Sequence, residues 1–171
     1  MRSQTLYTLH PSVLGDIFLA RTNVGITHIV FQEGTHPITP ESDWVHDPAA
    51  FDDVSQQLDA YFAGERQDFD LPLAPEGTPF QLTVWDALQS IPYGETISYG
   101  ELAQEIGRPT ASRAVGAANG HNPLPIVIPC HRVIGQDGSL TGYGGGLRFK
   151  KALLSLEKNG RIEVEEQLTL L

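Results

Sequence analysis

A single cysteine, Cys130, occurs in the 171 residues. That scarcity excludes any intramolecular disulfide and any cysteine-rich zinc cage, and it fits a reducing compartment. Long hydrophobic runs are also missing. No apolar stretch approaches the roughly 20 residues that cross a bilayer, and the opening "MRSQTLYTLHPSVLG" lacks the apolar core of a secretory signal. A soluble, cytoplasmic protein with no membrane contact is the expectation. Positive charge is scarce, with 11 Lys and Arg against 21 Asp and Glu and a formal net charge of -10. That balance argues against a uniformly basic nucleic-acid-binding surface. Its distribution reopens the class: residues 1–79 carry three Lys/Arg against twelve Asp/Glu, whereas residues 108–161 carry eight Lys/Arg against only Asp137 and Glu157. A local basic face binds a polyanion while an acidic lobe points away. Compact histidine ligand spacing is absent as well, since His28, His36 and His46 lie scattered in the acidic part, so no metal and no cofactor is expected.

What is present divides into two lobes. "TLYTL", "DIFLAR" and "GITHIVF" are short β-rich runs broken by "HPSVLG" and "TNVG", which predicts a small N-terminal sheet. A helix follows, with Asp47 as N-cap, Pro48 in its first turn, Phe51, Val54, Leu58 and Phe62 at helical spacing, and Gly64 as its stop. "ERQDFDLPLAPEG", residues 65–77, reads as a linker. Thr78 with Gln81, and Ser98 with Glu101, are two capping boxes that open helices in a second lobe. Gly107 ends the second of these helices, and Thr110 is placed to cap a third, "ASRAVGAANG". Helix, glycine-containing turn, helix is the helix-turn-helix pattern. The third helix is nearly bald, with Arg113 as its one large side chain, which suits either close packing or entry into a narrow groove. The fold class expected is α/β: a sheet-plus-helix lobe over 1–77, then a mainly helical lobe over 78–171 with a helix-turn-helix.

In "PIVIPCHRVIG", Pro125 and Pro129 bracket "IVI", which predicts that Cys130 emerges at the end of a short buried strand. A lone cysteine after an apolar run is more often an inert core residue than a nucleophile. The adjacent His131 and Arg132 shift that balance, because a histidine lowers a thiol's pKa or takes its proton and an arginine adds positive charge. Neighbours in a strand face opposite ways, so a bridging water or a turn would have to join Cys130 to His131. Glu157, in "RFKKALLSLEKNG", is one candidate for the group that orients the histidine.

"PCHRVIG", preceded by "SYGELAQEIGRPTASRAVGAANGHNPLPIVI" and followed by "TGYGGGLRFKKALLSLE", closely resembles the O6-alkylguanine-DNA alkyltransferases, also called methylated-DNA-protein-cysteine methyltransferases, of the bacterial Ogt type. The likeness runs from about Pro79 to Glu157. In the N-terminal lobe, which the resemblance implies is ribonuclease H-like, it extends only to size and element order. It implies that Cys130 accepts the alkyl group, that His131 acts through a water, that Glu157 orients His131, and that Asn122 braces the turn before the active site. It further implies that Tyr99, Val133, Tyr143 and Gly144 form the base pocket. Arg113 would enter the duplex in place of the extruded nucleotide, Tyr99 would help rotate its phosphate, and Ser112, Ala114, Ala117, Asn119 and Arg132 would contact DNA. The implied partner is alkylated double-stranded DNA, bound by a monomer through the minor groove. The implied reaction is single-turnover, irreversible transfer from O6-alkylguanine, and from O4-alkylthymine, to Cys130.

The chemistry is consistent with this. An alkyl group on guanine O6 is stacked within the duplex, so a buried thiolate reaches it only after the nucleotide is flipped out. Displacement at the alkyl carbon needs a soft nucleophile and a proton for the departing base, from a donor such as Tyr99. A sensor of alkylated DNA would share the fold but lack the cysteine. A cysteine hydrolase would turn over and need an oxyanion hole. Gly144 stands where some family members have a serine, a departure that leaves a roomier pocket suited to adducts larger than methyl.

Overall fold

The computed structural model describes residues 3–140, 143 and 146–162. Three N-terminal strands, β1 (Leu6–Ser12), β2 (Gly15–Arg21) and β3 (Ile26–Phe31), pair antiparallel, and a short β4 (Val45–His46) adds parallel to β1. The sheet order is β3-β2-β1-β4. The apolar run in β2 reflects burial on both faces. Ile17 and Leu19 enter the main core, while Phe18 on the opposite face stacks on Tyr7 at 5.6 Å and packs against Trp44.

Asp47 makes no side-chain capping bond; Pro48–Phe51 first form a 3-10 turn, and the α-helix proper, α1, is Asp52–Phe62. Its Val54, Leu58 and Tyr61 are buried, and Gly64 closes it at φ 75°. Residues 65–77 are more than a linker. Part of this segment docks on β3, with the Ile26 N–H donating to the Pro72 carbonyl at 2.8 Å and the Ala74 N–H to the Ile26 carbonyl at 2.8 Å. Charge and proline disguised it in the sequence; a free sheet edge accepts any extended backbone.

The second half contains α2 (Pro79–Leu88), β5 (Ile97–Ser98), α3 (Tyr99–Glu105), α4 (Ser112–Gly120), β6 (Val133–Ile134) and α5 (Leu147–Asn159). Both expected capping boxes form, at Thr78/Gln81 and Ser98/Glu101. Thr110, however, is not a cap. The N-cap of α4 is Ala111, with no side-chain capping bond, because a turn closed by the Ala111 N–H on the Arg108 carbonyl delays the helix by one residue. The Trp85 indole N–H donates to the Ala118 carbonyl at 2.8 Å, which pins α2 to α4. Across the two halves, Phe31 stacks on Phe149 at 4.5 Å, and the Ile29 N–H donates to the Pro123 carbonyl at 2.9 Å. Buried residues of both halves belong to one hydrophobic cluster. Among the described residues no helix is long and apolar enough to cross a membrane.

Candidate active site

No strand delivers Cys130. Residues 122–129 form a succession of turns, and Cys130–Arg132 is a 3-10 helix. The prolines at 123, 125 and 129 carry no N–H for a ladder, and Asn122 supplies bonds instead. Its Oδ1 accepts from the Leu124 N–H at 3.0 Å and its Nδ2 donates to the Ile128 carbonyl at 2.8 Å. Ile126 is held at φ 77°, the one positive φ outside glycine among the described residues. A β-branched residue there is strained, so the surrounding bonds fix the loop against local preference. A short apolar run reads as a strand by pattern alone; here its polar punctuation decided otherwise.

Cys130 is buried at 1% exposure. Desolvation pushes its thiol up to about 11, opposed by a hydrogen bond from Asn122 and by the charge of Lys150. The expectation that His131 depresses this pKa is therefore not met, and the groups that favour the thiolate are Asn122 and Lys150. Lys150, fully buried on α5, donates to the Val133 carbonyl. Burial lowers its ammonium to about 8, and the nearby Cys130 works in the opposite sense.

Glu157 of α5 gathers the remaining polar groups. Its Oε2 accepts from His131 Nε2 at 2.6 Å, from the Tyr61 hydroxyl at 2.7 Å and from Arg132 Nη2 at 2.9 Å. Its Oε1 accepts from Arg132 Nε at 2.8 Å and from the Gly94 N–H at 3.2 Å. Although burial opposes ionisation, bonds from His131 and Arg132 and their charges hold the Glu157 carboxyl well below the carboxylate range. An ionised carboxylate only accepts, so Nε2 of His131 carries the proton. Burial lowers the His131 pKa against the pull of Glu157, which keeps the ring neutral. Nδ1 is then a lone-pair acceptor, and it is buried with no partner among the described residues. Cys130 and His131 are thus not in direct hydrogen-bond contact. Arg132 is 6% exposed and spends its guanidinium on Glu157 and the Ile91 carbonyl. It cannot be the DNA contact expected of it, because a buried acid beside it needs its charge.

A cavity of about 260 Å³ opens beside the thiol, lined by Asn119, Asn122, Pro125, Cys130 and Tyr143 together with Phe31 and His36 of the N-terminal half. The Tyr143 hydroxyl is buried and has no hydrogen-bond partner among the described residues, and burial raises its pKa well above the usual phenol value. Asn119 is 1% exposed and bonds the Cys130 carbonyl, so it faces the interior and not a surface DNA groove. Its position at the C-terminal end of α4 turns it inward beside Ala118. Tyr99 and Val133 are not among the cavity's lining residues. Tyr99 is half-buried on the first turn of α3, over which Lys150 sits at 5.8 Å from the ring centroid. Val133 is fully buried and pairs with Ile97. Gly144 lies outside the described residues.

On α4, Val115, Ala118 and Asn119 face inward, while Ser112, Arg113, Ala114 and Ala117 are exposed. The outer face is therefore thin and carries one arginine. Sequence reasoning missed Tyr61, Lys150 and His36 as neighbours of the site. Tyr61 and His36 gave no signal, being distant in the chain; Lys150 is seven residues from Glu157, so both lie on one face of α5.

Two family models match the chain: the DNA binding domain of 6-O-methylguanine DNA methyltransferase over residues 79–159, and its ribonuclease-like domain over residues 5–75. A methylated-DNA-protein-cysteine methyltransferase of Methanosarcina acetivorans is 52% identical over 151 residues, covering 88% of this chain and 97% of that protein. One from Mycobacterium bovis is 52% identical over 153 residues, covering 90% and 92%. The crystal structure of Mycobacterium tuberculosis OGT in complex with DNA superposes with a TM-score of 0.87 at 50% identity, covering 96% of this chain and 99% of that one.

Proposed function

The chain belongs to the 6-O-methylguanine DNA methyltransferase family, and on that premise we propose that it repairs alkylated DNA by moving the alkyl group from guanine O6 to Cys130, once per molecule. The observation that carries this reading is the paired state of His131: Nε2–H is held by Glu157 while Nδ1 is a buried acceptor without a partner among the described residues. A thiol near pKa 11 holds roughly one thiolate in ten thousand molecules at pH 7, so transfer needs a base at the moment of reaction. His131 Nδ1 takes the thiol proton through a bridging water, and Glu157 stabilises the imidazolium that results. The thiolate attacks the alkyl carbon, the S–C bond forms as the C–O6 bond breaks, and the electron pair leaves with the base. Lys150 and Asn122 stabilise the thiolate, and the hydroxyl of Tyr143, a residue that lines the cavity, donates to the departing guanine. The thioether has no route back to a thiol, and no second cysteine is available to relieve it.

The exposed face of α4 is the DNA-binding element in this reading. Its small residues allow close approach in the minor groove, and Arg113 fills the gap left by the flipped nucleotide. A monomer suffices, because the thiol, base, orienting acid and wedge all come from one chain. The test is to mix the protein with a duplex carrying O6-methylguanine and weigh it intact. One methyl equivalent on Cys130, with the reaction stopping there, is the expected result. Cys130→Ala should still bind the duplex and acquire no methyl group. A transient acyl adduct with ester turnover would indicate a hydrolase, and binding without any adduct would indicate a sensor.

A further inference from the structure

α1 closes at Gly64 and α5 at Gly160, with left-handed backbone at φ 75° and 78°. The two closures touch. A Cβ added at Gly64 would overlap the Gly160 carbonyl oxygen, so glycine is what lets these helix ends approach so closely. Tyr61 and Glu157 each stand three residues before their glycine, and the apposed ends set the fully buried Tyr61 with its hydroxyl 2.7 Å from Glu157 Oε2. A carboxylate only accepts, so the phenol donates. Burial and the charge of Glu157 raise its pKa well above the usual phenol value, which keeps that proton in place.

Oε2 is also the oxygen that accepts from His131 Nε2 at 2.6 Å. Donors on one oxygen divide its charge, so each weakens the pull on the others. Resting on the alkyl-transfer reading above, we propose that Tyr61 is a positioning residue for the transfer: its hydroxyl draws on the Glu157 carboxylate and so limits how strongly that carboxylate holds a proton on His131. Other charged and titratable groups also face this pair. Arg132 bonds both carboxylate oxygens, Tyr93 enters from between α2 and β5 with Arg132 5.7 Å above its ring, and the charge of Lys150 on α5 opposes protonation of His131. Among the described residues, Tyr61 is the N-terminal half's one hydrogen-bond donor to Glu157, so the base of the transfer is tuned from that half.

The test is Tyr61→Phe, which deletes the hydroxyl and keeps the ring packed against Phe69 and Tyr93. Oε2 then directs more of its charge to His131, and the ring should take up its second proton at higher pH. Ring signals of nitrogen-15-labelled histidine, assigned by their loss in His131→Asn, should show a titration midpoint raised by about 0.5 to 1 pH unit. The acid limb of the single-turnover rate on duplex O6-methylguanine should move equally, a slowing of about three- to tenfold at a fixed pH on that limb. Gly64→Ala forces the helix ends apart with the hydroxyl intact. It should raise the midpoint in the same direction, and it gives the reading where the phenylalanine variant does not fold. A residue that only packs would lower stability and leave both midpoints in place, so an unmoved His131 midpoint in the folded variant overturns the inference. Absence of any alkyl adduct on wild-type Cys130 would overturn the transfer reading, whereas the His131 titration needs no substrate and decides the Tyr61 coupling separately.

Discussion

At Cys130, burial and activation pull against each other. Desolvation is the largest influence on the thiol and disfavours the thiolate, while Asn122 and the Lys150 ammonium favour it. The reactivity of the resting thiol toward a small electrophile such as iodoacetamide should accordingly rise about tenfold per pH unit, without levelling off before the region of pH 11. Lys150→Met removes the cation and should lower the rate further near pH 7.5. Above pH 8 the difference should shrink, because the wild-type lysine loses its own proton at about 8. A plateau near pH 7 in the wild type would show that His131 depresses the thiol after all. The cysteine was legible in the sequence because it is unique and stands beside His131 and Arg132. Its electrostatics were not, because the groups that set them arrive from other elements. Lys150 counted in the sequence only as one of the eight basic residues of 108–161, and only the packing of α5 reveals that it is fully buried. Arg132, a DNA contact in what the family resemblance implies, is buried as well: charge in a sequence carries no information about which side of the surface it ends on.

Among the elements, local chemistry was legible wherever it was self-contained. Thr78/Gln81 and Ser98/Glu101 each form a capping box within four residues, and no tertiary contact is needed to predict them. The short strand expected at 126–128 does not form, because the bonds there depend on the Asn122 side chain and on flanking prolines that forbid pairing, neither of which hydrophobic pattern records. On α4 the sequence was informative about the outer face and mistaken about the inner one. Arg113 is exposed at the start of the helix, whereas Asn119, nearly two turns on, is buried. Arg113→Ala should therefore change stability by no more than about 0.5 kcal/mol. Its effect on repair should be unequal, with a large loss of rate on duplex O6-methylguanine and little change with free O6-benzylguanine, which requires no flipping. Equal losses on the two substrates would remove Arg113 from the wedge role.

For the whole molecule, the two-lobe description understates how the chain is joined. Tyr61 of the N-terminal half and His131, Arg132 and Gly94 of the C-terminal half converge on Glu157, and one apolar cluster runs through both halves. A structure cored this way should unfold as a unit. The two tryptophans report on it separately, since Trp44 lies beside Phe18 in the first half and Trp85 is buried on α2 in the second. In urea, Trp44→Phe and Trp85→Phe should show transitions of the same steepness, each coincident with the far-ultraviolet circular dichroism of the same variant. The same hub sets the pH dependence. Folding lowers the pKa of His131 from 6.5 and that of Glu157 from 4.5. As pH falls, the unfolded chain therefore takes up first the histidine proton and then the carboxyl proton, while the native protein resists both. Stability should be full above about pH 6.5 and should decline by about 1.4 kcal/mol per pH unit for each proton so gained. Both probes should move to lower urea together as the pH drops from 7 to 4. If the Trp44 transition separates from the Trp85 transition in that range, Glu157 holds only the active site together, and the halves are joined by the apolar seam alone.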